Sequence, residues 1–238
     1  MVKARSDNWR INKSGVMAIE GAQILRSLQK VAGAAGLPKE YKVTFATKAQ
    51  TSQISFDNKS IVIGAGRLFT DAPMPADKFD VLVGLTLHEV GHQQIRTDMV
   101  EREVVSHVMG WETKRQLLFH KFVNIGEDIA IESRIRNNKN LAEYDEALHN
   151  WGVNQMRDAD PYKLLDVWIE YSLGHKSTTV MSLPPELDEP MQQLVALTGW
   201  LRSPTTPYHV DRVAAYENYW KSVEDVVMNP PVPPPPPA

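Results

Sequence analysis

No cysteine occurs in the 238 residues. Disulfides and thiolate metal sites are therefore excluded, and any transition metal has to be held by His, Asp or Glu. The same absence suits a reducing compartment, and the expected location is the cytoplasm, of a cell or of a host if the gene is viral. Long apolar runs are missing too. Nothing approaches the roughly 20 consecutive apolar residues that a membrane helix needs, so no membrane partner is expected. The stretch from Met1 to Ser14 is polar and lacks the apolar core of a signal peptide. An excess of charge of one sign is also absent. Lys and Arg number 26 against 29 Asp and Glu, a net charge of −3, so no general basic field is available for nucleic acid.

What remains is enough apolar material, 42% of the residues, for one large domain or two small ones. A capping Ser14 opens a helix predicted to run to about Ala32. Val16, Ile24, Leu25, Leu28 and Val31 form its apolar stripe, and Gly33 and Gly36 end it. Three strand-like runs follow at 41–46, 52–56 and 60–63, with Asp57 and Asn58 as the turn between the last two. After the loop marked by Pro73 and Pro75, a helix is expected from about Asp77 to Gln94. The remainder reads as helices over 99–109, 112–137, 141–156, 161–173, 186–201 and 208–228, the fourth of these started by Asp160 and Pro161. The expected class is α+β, mostly helical, with a small N-terminal sheet. The sheet-containing part covers about 38–96, the helical body about 99–228, and residues 229–238 form a proline-rich tail or linker in extended polyproline II.

The chemistry concentrates in His88-Glu89-Val90-Gly91-His92. Residues four apart on a helix project from one face one turn apart, so two imidazoles can reach one ion. Glu89 lies about 100° round the helix from His88, at the edge of that face. There it can accept a proton from a metal-activated water without binding the metal. Val81, Leu82, Leu85 and Val90 make the helix largely apolar, as an active-site helix must be.

A catalytic zinc takes three protein ligands and keeps one position open. The best source of a third is Val123-Asn124-Ile125-Gly126-Glu127-Asp128-Ile129-Ala130-Ile131-Glu132, where acids interrupt an apolar helix. Buried carboxylates are costly unless paired or metal-bound. Asn124, Asp128 and Glu132 share a face at i, i+4 and i+8, with Glu127 one step round. A charged stripe meeting Arg134 and Arg136 would account for the same acids.

These two segments together resemble bacterial and phage metallopeptidases that carry an HExxH helix and a second helix of the form Asn-x-x-x-Asp-x-x-Ile-(Asn/Glu). The resemblance covers about residues 40–136. It implies a zincin-like domain, a Zn²⁺ cofactor held by His88, His92 and Asp128, and Glu89 as general base. It places Glu132 where a carboxylate orients a ligand imidazole. Glu127 is the runner-up third ligand, on the pattern of peptidases that use a Glu. Some such proteins are coupled to von Willebrand factor A modules, so a partner domain of that or another type, reached through the proline-rich tail, is a further expectation.

Of the other histidines, His120 lies one turn before Asn124 and could approach the site. Tyr144, His149 and Tyr171 are candidate oxyanion donors. The tryptophans read as core or interface anchors, and an exposed edge of the 52–63 hairpin could pair with an extended peptide. The expected function is hydrolysis of a peptide or protein substrate by metal-activated water. The alternative is a non-catalytic, metal-stabilised interaction module working with a partner domain, and hydrolysis of a non-peptide amide would share the chemistry.

Overall fold

The computed structural model describes residues 18–46, 51–70, 73–155, 159–174 and 183–233. Ser14, Val16 and the last five residues of the proline-rich segment, all assigned above, lie outside these ranges. The chain is a mostly helical α+β protein with one small sheet, as its pattern of apolar residues predicts. It divides into two compact units: Met1–Gln94 with Asn138–Trp151, and Ile95–Asn137 with Gly152–Ala238. The sheet-containing unit thus takes back a later stretch of chain that the sequence pattern assigned to the helical body.

In the first unit, α1 (Ala18–Ala34) precedes β1 (Lys42–Ala46), β2 (Gln53–Ser55) and β3 (Ser60–Gly64). β3 is central, pairing parallel to β1 and antiparallel to β2. Val43, Ile61 and Ile63 are buried, as alternation on a half-covered sheet requires. Lys59 takes the left-handed conformation (φ 46°) that closes the hairpin turn. β2 is an edge strand of three residues. α2 (Ala76–Gln94) packs on α1 and on the sheet, burying Leu82 and Leu87. Most of α5 (Ala142–Gln155) also belongs to this unit.

The second unit is helical: α3 (Thr97–His107), α4 (Thr113–Arg136), α6 (Leu164–Ser172), α7 (Pro185–Leu201) and α8 (His209–Met228). α8 packs against each of the other four helices. Its Tyr216 and Trp220 enter an aromatic core with Phe119, Phe122 and Trp168, where ring centroids stand 5.1–5.5 Å apart for the Phe119–Trp220, Phe122–Trp168 and Phe122–Trp220 pairs. Trp168 donates its indole N–H to Thr198 Oγ1 at 2.8 Å, which satisfies a polar atom that burial would otherwise strand.

The helix expected from Pro161 begins three residues later. Asp160 Oδ1 accepts from the Tyr162 N–H at 3.1 Å, and the Asp160 carbonyl accepts from the Lys163 N–H at 2.9 Å. The Asp-Pro pair therefore closes a turn, and α6 starts at Leu164. No helix among the described residues is long and apolar enough to cross a membrane.

Candidate metal centre

α2 carries the first half of the candidate site. Its apolar positions, Val81, Leu82, Val83, Leu87 and Val90, are buried on several sides, so the helix runs inside its unit and not along the surface. Gly84 explains how closely it is covered. A Cβ there would lie 2.5 Å from the Tyr144 carbonyl oxygen and 2.8 Å from Leu148 Cβ, so only glycine lets α5 approach α2 at this level. Gly84 is one turn before His88, on the histidine face. The sequence offers no signal for this contact, because its partner lies sixty residues downstream.

One turn further on, the His88 and His92 rings stand edge to face with centroids 5.0 Å apart. Both are half-buried. Glu89, next to them, is only 5% exposed. Thr86, also fully buried, donates to the Leu82 carbonyl within the helix at 2.8 Å and takes no part. The helix ends at Gln94, and Arg96 turns the chain through the left-handed region (φ 63°) before α3.

α4 carries the acids of the second segment, and within its unit they separate into two kinds. Glu127 is 1% exposed and accepts four hydrogen bonds. Arg212 Nε and Tyr216 OH donate to Oε1 at 2.7 and 2.8 Å; Arg212 Nη2 and Thr97 Oγ1 donate to Oε2 at 2.9 and 2.7 Å. A carboxylate has about four acceptor positions, so Glu127 has none left for a metal. Arg212, itself buried, also donates to the Pro207 and Ile95 carbonyls at 2.7 and 2.8 Å. Burial and the neighbouring Glu127 charge push the Tyr216 phenol well above its ordinary pKa, so it remains a donor. Gly126 makes room for this ring, since a Cβ there would stand 2.4 Å from Tyr216 Cε1.

Asp128, by contrast, is half-buried, as is Glu132, whose carboxylate stands 4.0 Å from Arg136 Nη2 one turn on. Asn124, which shares their face, is exposed. His120 is half-buried on α4. The three oxyanion candidates divide between the units: Tyr144 and His149 lie on α5 in the first, and Tyr171 lies on α6 in the second. Arg212 and Tyr216, which decide the fate of Glu127, were missed in the sequence because they lie 85 and 89 residues away from it.

Imidazole and carboxylate are donor types that a zinc ion accepts. Imidazole and carboxylate are the only strong ligands a cysteine-free chain can offer, and two His with one acid leave the fourth position open. Comparison of the chain with protein-family models, with curated proteins and with solved structures returns no match.

Proposed function

We propose that the chain is a zinc-dependent metallopeptidase with a zincin-like site, in which His88, His92 and Asp128 hold the ion and Glu89 is the general base. One observation carries the reading: a buried helix presents two imidazoles with centroids 5.0 Å apart and sets a buried glutamate beside the first of them. His88, His92 and Asp128 offer two imidazoles and one carboxylate, a donor set that would leave a coordination position open on a zinc ion. The commitment of Glu127 to Arg212, Tyr216 and Thr97 favours its neighbour Asp128 as the third ligand.

When bound, zinc supplies a Lewis acid that polarises the scissile carbonyl and makes a water acidic enough to attack near neutral pH. Glu89 takes the proton from the attacking water and returns it to the departing amine nitrogen. In this reading Glu132, one turn beyond Asp128, would orient a ligand imidazole. Among the described residues β2 is an edge strand, and its outer edge could pair with an extended peptide substrate.

Elemental analysis tests the ligand set. About one zinc per chain is expected in the native protein. It should be lost from His88→Ala and Asp128→Ala but retained by Asn124→Ala. Full zinc retention in either of the first two would remove that residue from the ligand set.

A further inference from the structure

Within the second unit, an open groove of about 630 Å³ lies between the end of α7 and the first half of α8, and none of the candidate metal ligands lines it. Trp200 and Tyr219 are its aromatic members. Trp200 is 37% exposed, whereas Trp168 and Trp220 of the same unit are buried in its aromatic core. An indole left in contact with water at a concave surface is an unused apolar contact. The polar lining comes from Asp211, Asn218, Ser203, Thr205 and the Tyr219 hydroxyl. Among the described residues, none of these five side chains takes part in a hydrogen bond or an ion pair.

What the lining holds and what it lacks both bear on the ligand. Among the described residues that form it there is no Lys, Arg or His, so no cation is present to pair with a phosphate, a nucleic acid or an acidic peptide. The Asp211 carboxylate accepts, while the hydroxyls and the Asn218 amide both donate and accept. A sugar hydroxyl has the same double character, donor and acceptor on one oxygen, and a row of them is matched by such a lining. The C–H bonds on one face of a pyranose ring carry partial positive charge from the neighbouring oxygens, and they rest well on the negative face of an aromatic ring. We propose that the Trp200–Tyr219 groove binds a neutral oligosaccharide, with pyranose rings stacked on the two aromatic side chains and their hydroxyls hydrogen-bonded to Asp211, Asn218, Ser203 and Thr205.

The helix supports a ligand longer than one ring. Asp211 and Asn218 are seven residues apart on α8, about 10 Å at 1.5 Å per residue, and share a face because seven residues make nearly two turns. Ala214 and Ala215 lie between them and also line the groove. Their short side chains keep this stretch low, so a ring can lie flat between the two polar ends. On the α7 side, a Cβ added at Gly199, next to Trp200, would meet open space. A carboxylate with no lining cation repels acidic sugars, which makes the ligand a neutral one. An ammonium ion would also be drawn to two aromatic rings and a carboxylate, but it would leave the hydroxyl and amide groups unmatched.

The test titrates cellotetraose, maltotetraose and chitotetraose into the full chain, with choline as the ammonium probe, and reads binding by calorimetry and by tryptophan emission. At least one tetrasaccharide should bind saturably, with a Kd in the millimolar range or below, and choline should not bind. Trp200→Ala should weaken the sugar's binding by about tenfold or more, the scale of losing an aromatic anchor. Trp200→Phe keeps a ring and should recover most of the loss. Asp211→Ala, at an exposed position where misfolding is not expected, removes an acceptor and should weaken binding severalfold. Failure of all three sugars to bind saturably, sugar binding unchanged in both Trp200→Ala and Asp211→Ala, or saturable choline binding that the same variants abolish would each overturn the proposal. None of these results bears on the metal site, because no variant touches it.

Discussion

Two glutamates, Glu89 and Glu127, are almost equally buried, at 5% and 1% exposure, and the difference between their surroundings separates chemistry from architecture. Glu127 sits in the helical unit with an arginine, a tyrosine and a threonine all directed at its oxygens. Glu89 sits on α2 next to His88 and three residues before His92, and the centroids of those two rings stand 5.0 Å apart. The first arrangement saturates a carboxylate and fixes three helices to one another. The second places a carboxylate next to atoms that bind metals. Burial alone does not distinguish them, but the donors around each do.

The largest effect expected from breaking this comparison is on the Glu127 side. Glu127→Ala leaves Arg212 buried at 1% exposure with its main counter-charge gone. Removing one member of a buried pair costs about 3–5 kcal/mol, so the denaturant midpoint should fall sharply. Glu89→Gln, by contrast, should leave that midpoint nearly where it was. Equal destabilisation by the two substitutions would erase the distinction.

A smaller effect belongs to the metal. If one ion takes ligands from both α2 and α4, its binding stabilises the folded state by mass action, on the order of a few kcal/mol. Chelation should then lower Tm by several degrees, since each kcal/mol corresponds to about 2–4 °C in a chain of this size. An identical melting curve with metal loss verified would argue against ligands drawn from both helices.

The smallest effect concerns residues 229–238. Val232 is 87% exposed, and the segment's prolines contribute no amide hydrogens to the fold. Deleting the segment should change the stability of the chain by no more than about 0.5 kcal/mol. A larger loss in a denaturant titration would mean that the segment packs on its own unit.

The elements that were legible in the sequence are those whose signals are local. The apolar spacing of Val81, Leu82, Leu85 and Val90, after the loop marked by Pro73 and Pro75, places α2 within one residue of its observed start, and the Asp57-Asn58 turn gives the β2–β3 hairpin. The His88–His92 pair is a spacing argument and needs nothing from elsewhere in the chain. Where one local signal serves two structures, the reading fails. Asp160-Pro161 opens a helix or closes a turn with equal ease, and here it closes a turn. Long-range partners were not legible at all. Nothing near Glu127 announces Arg212 or Tyr216, and nothing near Gly84 announces Tyr144 and Leu148. The return of residues 138–151 to the sheet-containing unit is equally invisible to periodicity, which reports that a face is buried but not what buries it.

The central claim is that Glu89 does proton transfer and not structural work, and Glu89→Gln tests it most directly. Gln keeps the size and the hydrogen-bonding capacity of the side chain but cannot accept the proton, and it leaves His88, His92 and Asp128 untouched. Zinc content and peptide cleavage should be measured together, on native and variant protein against a peptide library. The account predicts unchanged zinc and a fall in turnover of about 10² or more, the typical contribution of a positioned general base. Cleavage by the Gln variant at the native rate would contradict it.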